Sequence, residues 1–387
     1  MNVLWLASWY PNRTNPSTGD FIERQAIAVA PYVTNLLVVA VFKDESLPPG
    51  SIDVVRTRQG NLRTYIAYYG RGSLGNRFEP FQSTRIYLRL QRQLFKEIQE
   101  EFGLPGLVHV HVAMKAGWFA LRLKRKYGIN YLVTEHWTGY SPDASPTLNE
   151  MGFWYARLTK KILNGASLLI PVSHNLARVI AGHGIRTPYT VIPNVVDTSL
   201  FRYERNAPKS FRFVHFSYLN RQKNPEGIID ACALLRSRGL HFECVLTGAL
   251  VLELENRISS SGLSGHVFVR PEIALEKVAS AMREAHALVL FSRFENLPCV
   301  VLEALCSGLP VVSSDVGGIS EVVNTSNGLL VPEGDVSALA DAMEQILLDY
   351  ERYDRRAIAQ QAAAQFNQSR IGRLHLEVYQ KHTGAHL

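Results

Sequence analysis

Short apolar, β-branched runs alternate with longer amphipathic helical segments along nearly the whole chain, and this alternation restricts the fold more than any other feature. Strands joined through helices pair in parallel, and a parallel sheet needs helices on both faces. In the first half the strand-like runs are 3–8, 35–42, 107–112, 131–134 and 167–171, with helical segments at 20–30, 81–101, 117–127, 148–164 and 174–182. A second series follows the loop Ile192-Pro193-Asn194-Val195-Val196-Asp197, with strands at 211–218, 241–247, 266–269, 287–291, 311–314 and 328–331. A length of 387 residues suits two domains. The expectation is therefore α/β, with two facing doubly wound domains at 1–195 and 196–368 joined near 195–208. A last helix, about 369–387, is expected to pack back on the first domain. Ligands of such sheets bind outside the carboxyl ends of the strands, which places one in the interdomain cleft.

Charged residues at 19% are too few for a disordered chain. Cys232, Cys244, Cys299 and Cys306 form no CxxC pair, which argues against a zinc site or a disulfide framework and fits a reducing compartment. Val3 to Ala7 reads as a buried strand rather than a signal peptide, and no apolar run reaches transmembrane length. A cytoplasmic protein, or one peripheral on the inner face of the membrane, is expected. The formal net charge of +7 is unevenly spread: from Arg56 to Lys126 there are 14 Lys and Arg against 4 Asp and Glu, a local +10. That excess suits an anionic partner. In the helix 84–99, Arg85, Arg89, Arg92 and Lys96 share one face and Ile86, Leu90, Leu94 and Ile98 the other. A solvated basic side is the ordinary meaning; contact with anionic lipid headgroups is the alternative.

The chemistry concentrates in Phe294-Glu295-Asn296-Leu297-Pro298-Cys299-Val300-Val301-Leu302-Glu303-Ala304. Pro298 suits a first helical turn and Gly308 a helix stop. Glu295 then lies in a strand-to-helix loop and Glu303 about five residues into the helix, roughly 7–8 Å along its axis. The free N–H groups between them can bind an anion such as a diphosphate. Downstream come Gly308-Leu309-Pro310-Val311-Val312 and Asp315-Val316-Gly317-Gly318-Ile319-Ser320-Glu321. Earlier, Arg221 and Lys223 precede Asn224-Pro225, a plausible cap and first helical residue.

These segments resemble the E-x7-E, G-x-P-V-V and D-x-G-G-x-x-E elements of retaining glycosyltransferases of family 4, which have the GT-B fold of two facing Rossmann-like domains. The resemblance implies a nucleoside-diphosphate sugar as donor, with Glu303 on the ribose, Glu295 on the transferred sugar, and Lys223, helped by Arg221, on the leaving diphosphate. Leu297, Val300, Gly317, Gly318 and Gly19 are implied donor contacts, Gly19 through a first loop that also holds Asp20 as a possible cap. Tyr218 stands where the family usually has an Arg. Val108-His109-Val110-His111 matches the family's H-x-H, which puts His111 by the transferred sugar. Thr134-Glu135-His136 matches its T-x-H, which puts His136, or Glu135, on the acceptor side. Pro193-Asn194-Val195-Val196-Asp197 with Phe201 matches a structural interdomain signature.

No D-x-D, HExxH, G-x-S-x-G or Walker A motif is present. The resemblance accordingly implies no metal and no cofactor, a glycan or lipid-linked acceptor, and a place in bacterial polysaccharide or lipopolysaccharide assembly. Two other readings stay open from sequence: a sugar-nucleotide epimerase of the same fold class, and a non-catalytic nucleic-acid-binding protein. Against the latter, the basic helix lacks interleaved exposed aromatics and no nucleic-acid motif is visible.

Overall fold

The computed structural model describes residues 1–71, 79–204, 210–248 and 252–383, with backbone alone at 79 and 80. Part of the expected join, 205–208, and the end of the expected last helix, 384–387, lie outside the described residues. The first series of strands is β1 (Asn2–Ala7), β2 (Asn35–Lys43), β3 (Ile52–Gln59), β4 (Leu62–Tyr69), β5 (Leu107–His111), β6 (Tyr131–Glu135) and β7 (Leu168–Pro171). They form one seven-stranded sheet in the order β3-β4-β2-β1-β5-β6-β7. The second series is β8 (Arg212–Phe216), β9 (Glu243–Thr247), β10 (Val267–Arg270), β11 (Ala287–Leu290), β12 (Val311–Ser314) and β13 (Gly328–Val331). It forms a six-stranded parallel sheet in the order β10-β9-β8-β11-β12-β13. Both are Rossmann-like α/β layers, as the alternation predicts.

The sequence pattern does not anticipate β3 and β4. They form a hairpin through Gly60, at φ 59°, and β3 is antiparallel to β4 at the edge of the first sheet. β3 is almost wholly solvent-facing and carries Arg56 and Arg58, so it lacks the apolar period that reveals a strand. Charge on an edge strand also discourages pairing with another chain.

Successive side chains of β1 point to opposite faces. Leu4 and Leu6 pack with α2 (Glu79–Phe102), α3 (Gly117–Tyr127), α4 (Phe153–Gly165) and α5 (His174–Gly182). Val3 and Trp5 pack with α1 (Asp20–Val29) and α12 (Gln368–His382). The fourth helix starts at Phe153 rather than 148, because Gly152 at φ 93° interrupts the helical backbone. The second sheet is covered by α6 (Pro225–Ser237), α7 (Leu252–Ser260), α8 (Leu275–Arg283), α9 (Cys299–Cys306), α10 (Val336–Leu348) and α11 (Arg355–Phe366).

The chain crosses between the sheets twice. Asn194 donates to the Leu297 carbonyl at 2.9 Å, the Asp197 carbonyl accepts from Phe201 N–H, and Val196 N–H bonds the Phe366 carbonyl. After α11 the chain returns to the first sheet as α12. There Trp5 Nε1 donates to the Tyr379 hydroxyl at 3.0 Å, and Gly372 presses on the Ala28 carbonyl. Among the described residues no helix is long and apolar enough to cross a membrane.

Candidate active site

Glu295 lies in the loop between β11 and α9, and Glu303 is the fifth residue of α9. Pro298 occupies the cap position just before the helix, with ψ 129°, rather than the first helical turn. Among the described residues no side chain caps α9, so its first N–H groups have no side-chain partner there. Each carboxylate already holds a cation. Lys223 pairs with Glu295, and Ser292 donates to the same oxygen at 2.8 Å. Arg24, from α1 of the first domain, pairs with Glu303 and with Asp20, the latter at 2.9 Å. Burial raises the Glu303 carboxyl above the usual carboxylate range, opposed by Arg24. Cys299, the first residue of α9, feels Arg24, Glu303, Asp20 and Lys223 together; burial, chiefly, pushes its thiol up to about 12.

Lys223 is fixed by its loop. Gln222 donates to the Phe294 carbonyl at 2.9 Å, and Arg293 N–H donates to the Gln222 carbonyl at 2.8 Å. Asn224 takes the cap position of α6 in a left-handed conformation (φ 49°), but its side chain makes no capping bond; Pro225 is the first helical residue. Arg221 is exposed while the Lys223 side chain is largely enclosed. Tyr218 lies beside Ser17 of the first loop, across the cleft, and Ser17 donates to Glu272 at 3.2 Å.

The glycines make close approaches to protein. A Cβ on Gly317, at φ 62°, would fall 2.1 Å from the Glu295 carbonyl oxygen, and one on Gly318 2.4 Å from Ser173 Cβ in the first domain. A Cβ on Gly19, at φ 72°, would fall 2.7 Å from the Trp9–Tyr10 backbone. In this structure the approach anticipated toward a donor is made to the chain itself. Gly19, not Asp20, is the cap residue of α1, and Asp20 turns to Arg24 instead. Leu297 points its side chain into the core, which leaves only its backbone toward the loop, and Val300 packs partly buried beside it.

His111 is fully buried at the carboxyl end of β5. Its ring centroid is 3.9 Å from Trp5, 4.2 Å from His109 and 6.4 Å from a stacked His136. Among the described residues neither His111 nitrogen has a hydrogen-bond partner, nor has His136 Nε2. Burial, then neighbouring imidazoles, holds His111 well below the usual histidine range and brings His136 down to about 3. The His136 carbonyl accepts from Asn296 Nδ2 at 2.7 Å, so the loop next to Glu295 touches the first domain.

Glu135 does not face the cleft as a free polar contact. It accepts from Ala113 N–H at 2.7 Å, His136 N–H at 3.1 Å, Trp137 N–H at 3.3 Å and the Tyr140 hydroxyl at 3.0 Å. With both oxygens spent on backbone and Tyr140, it fixes the loops after β5 and β6. Glu321 likewise caps α5 from the other domain, accepting from His174 and Asn175 N–H. Sequence reasoning missed Arg24 altogether. Its one local signal is the i,i+4 spacing to Asp20, which says nothing of a partner in the second domain.

Residues 198–365 match the family model described as "Glycosyl transferases group 1", and residues 51–200 the model described as "Glycosyltransferase Family 4". A Bacillus subtilis protein that carries the name of a teichuronic acid biosynthesis glycosyltransferase is 24% identical over 365 residues, 89% of this chain and 88% of its own. A D-inositol 3-phosphate glycosyltransferase of Paenarthrobacter aurescens is 27% identical, over 73% of this chain and 74% of its own. Among solved structures, the sucrose-phosphate synthase from Thermosynechococcus elongatus superposes with a TM-score of 0.79 at 20% identity, covering 98% of this chain and 99% of its own. Anabaena HepE, in complex with UDP-glucose, gives 0.73 at 19%, covering 98% and 100%. Two adjoining family models, the full-length structural matches and the two facing sheets agree: the chain is a family 4-type glycosyltransferase with the GT-B fold.

Proposed function

We propose that this glycosyltransferase is retaining and metal-independent, and moves a hexose-type sugar from a nucleoside-diphosphate sugar to a glycan or lipid-linked acceptor in surface-polysaccharide assembly. The observation that carries the reading is the pair of cation-held carboxylates flanking the uncapped start of α9. In this reading the diphosphate lies against the α9 start, whose N–H groups and dipole favour negative charge. Glu303 accepts from the ribose hydroxyls and Glu295 orients those of the transferred sugar. Lys223 turns from Glu295 to the leaving diphosphate, with Arg221 swinging in from solvent. His111, neutral and unpartnered, offers a ring nitrogen to the transferred sugar, and His136 lines the acceptor side.

In the transfer step an acceptor hydroxyl oxygen attacks the anomeric carbon from the face the diphosphate leaves. The carbon–oxygen bond to the diphosphate breaks and its electron pair departs with the phosphate oxygen. That oxygen takes the acceptor proton. No protein nucleophile is assigned. A cavity of about 480 Å³ opens in the first domain at the end of β2, lined by Arg13, Thr14, Lys43, Asp44, Glu45 and Ser46, and in this reading it takes part of the acceptor. Arg13 is held there by Asp44 and Asp53 and lies over the Tyr68 ring. The complexes of HepE with UDP and UDP-glucose support the donor class, and the teichuronic acid name of one relative supports a surface-glycan acceptor.

The test is nucleoside-diphosphate release from UDP-, GDP- and ADP-sugars with EDTA present, with the anomer of the freed sugar followed by NMR. One donor should release its nucleotide with retention. Lys223→Ala should lower that turnover about 100-fold or more while leaving donor affinity within a few-fold. Inversion, dependence on added metal, or an epimerised sugar nucleotide with no release would overturn the reading.

A further inference from the structure

Three helices of the first domain lie side by side on one face of its sheet, and their outer surface is almost free of carboxylates. α2 has no Asp or Glu between Phe81 and Lys96, and α3 and α4 have none at all. Arg85, Arg89, Arg92 and Lys96 are exposed on α2, Arg125 and Lys126 on α3, and Arg157 and Lys161 on α4. Arg92 lies near enough to Arg122 of α3 to disfavour its charge, so the basic faces of α2 and α3 adjoin. Of the four carboxylates of α2, Glu79 is its first residue and Glu97, Glu100 and Glu101 sit at its far end, where Glu97 is tied to Arg56 and Glu100 to Lys96.

The same surface bears large apolar side chains that the core does not use. Phe81 at 73%, Phe153 at 69% and Trp154 at 77% are the most exposed aromatics of the described residues, and Met151 is exposed beside the last two. Their positions coincide. α2, α3 and α4 all run opposite to the parallel strands, so their N-termini share the carboxyl edge of the sheet. Phe81 is at the start of α2, and Phe153 and Trp154 open α4. Between them, at the start of α3, Trp118 lies under the Arg122 guanidinium at 5.1 Å. That edge is also the cleft mouth: Tyr155 contacts Trp137, and the adjacent His136 carbonyl bonds Asn296 of the other domain.

We infer that this face docks on an anionic lipid bilayer, with Phe81, Phe153 and Trp154 entering the headgroup region and the arginines and lysines behind them on the lipid phosphates. Aromatic rings favour that interface, and each basic side chain near it adds attraction. A nucleic-acid duplex would use the cations but not the aromatic edge, and a single strand stacks its bases on aromatics interleaved with cations along a groove, whereas these rings are confined to the helix starts. The docked orientation brings the cleft mouth to the membrane surface, where a lipid-linked acceptor emerges. The inference itself rests on charge and exposure and not on the donor assignment, and its test contains no sugar nucleotide.

The experiment is co-sedimentation of the full chain with vesicles of phosphatidylcholine alone and with a third phosphatidylglycerol, at low and high salt. Binding to the anionic vesicles, weakened by salt, is expected. Arg85→Gln/Arg89→Gln/Arg92→Gln should weaken partitioning roughly 100-fold. These positions are solvent-facing, so the triple variant should melt within a few degrees of the parent. Brominated lipid should quench part of the tryptophan fluorescence, and that part should vanish in Trp154→Phe. Absence of vesicle binding at low salt, undiminished binding by the triple variant, or quenching unchanged in Trp154→Phe would overturn the inference. So would tighter capture by an oligonucleotide that displaces the vesicles.

Discussion

Glu303 and Arg24 are 279 positions apart in the chain and meet where the two domains face each other. Both side chains are nearly enclosed, so each charge depends on the other. Removing one member of a buried pair leaves the other unpaired and costs about 3–5 kcal/mol, whereas replacing both with apolar groups costs much less. Arg24→Leu should therefore lower the unfolding free energy of the free protein by about 3 kcal/mol, and Arg24→Leu/Glu303→Leu should restore much of it. Urea denaturation checks this; a single-variant loss under about 1 kcal/mol would show the pair to be dispensable. The sequence made Glu303 legible because its partners in the motif are local. Arg24 stayed hidden because only the folded chain brings α1 to α9. Glu135 misled for a related reason: a carboxylate beside a ligand-facing histidine looks available until its four donors are seen.

At the scale of elements, α12 ties the end of the chain to the first sheet. The Tyr379 hydroxyl lies 3.0 Å from Trp5 Nε1 and 2.7 Å from His109 Nδ1, and His109 Nε2 continues to Thr134 at 2.7 Å. This network needs α12 to sit close on α1, and Gly372 allows it: a Cβ there would be 2.2 Å from the Ala28 carbonyl oxygen. Gly372→Val should push the helices apart, cost about 1–3 kcal/mol, and expose the C-terminal helix to proteases before the rest unfolds. Limited proteolysis with mass mapping reads this out, and an unaltered cleavage pattern would contradict it. Most strands and helices were legible from alternation alone, because buried parallel strands are apolar on both faces. β3 was not, because an exposed edge strand with Arg56 and Arg58 has no buried face to write into the pattern.

Across the whole molecule, buried histidines set a pH response. His109, His111, His136 and His375 cluster between β1, β5 and α12, and His215 is enclosed in the second sheet. Burial, foremost, lowers all five below the usual histidine value, His136 to about 3 and His215 and His375 to about 4. Above pH 6.5 these groups are neutral whether folded or unfolded and contribute nothing. Below it the unfolded chain takes up protons that the fold refuses, so stability falls as pH falls. At pH 5.5 each group costs about 1.4 kcal/mol. The thermal midpoint should drop steeply from pH 7 to 5.5, and a flat profile would mean the cluster opens to water.

In the proposed function, the start of α9, between Glu295 and Glu303, is a nucleotide site. Its most direct test is calorimetric titration of nucleoside diphosphates into the wild-type protein and Glu303→Gln, a change that keeps the side chain's shape and spares Arg24 an empty neighbour. One nucleoside diphosphate should bind the wild type, and its affinity should fall at least about tenfold in Glu303→Gln as the charge-assisted bonds to the ribose are lost. Equal affinity in the two proteins would remove Glu303 from the ribose and contradict the assignment of the site.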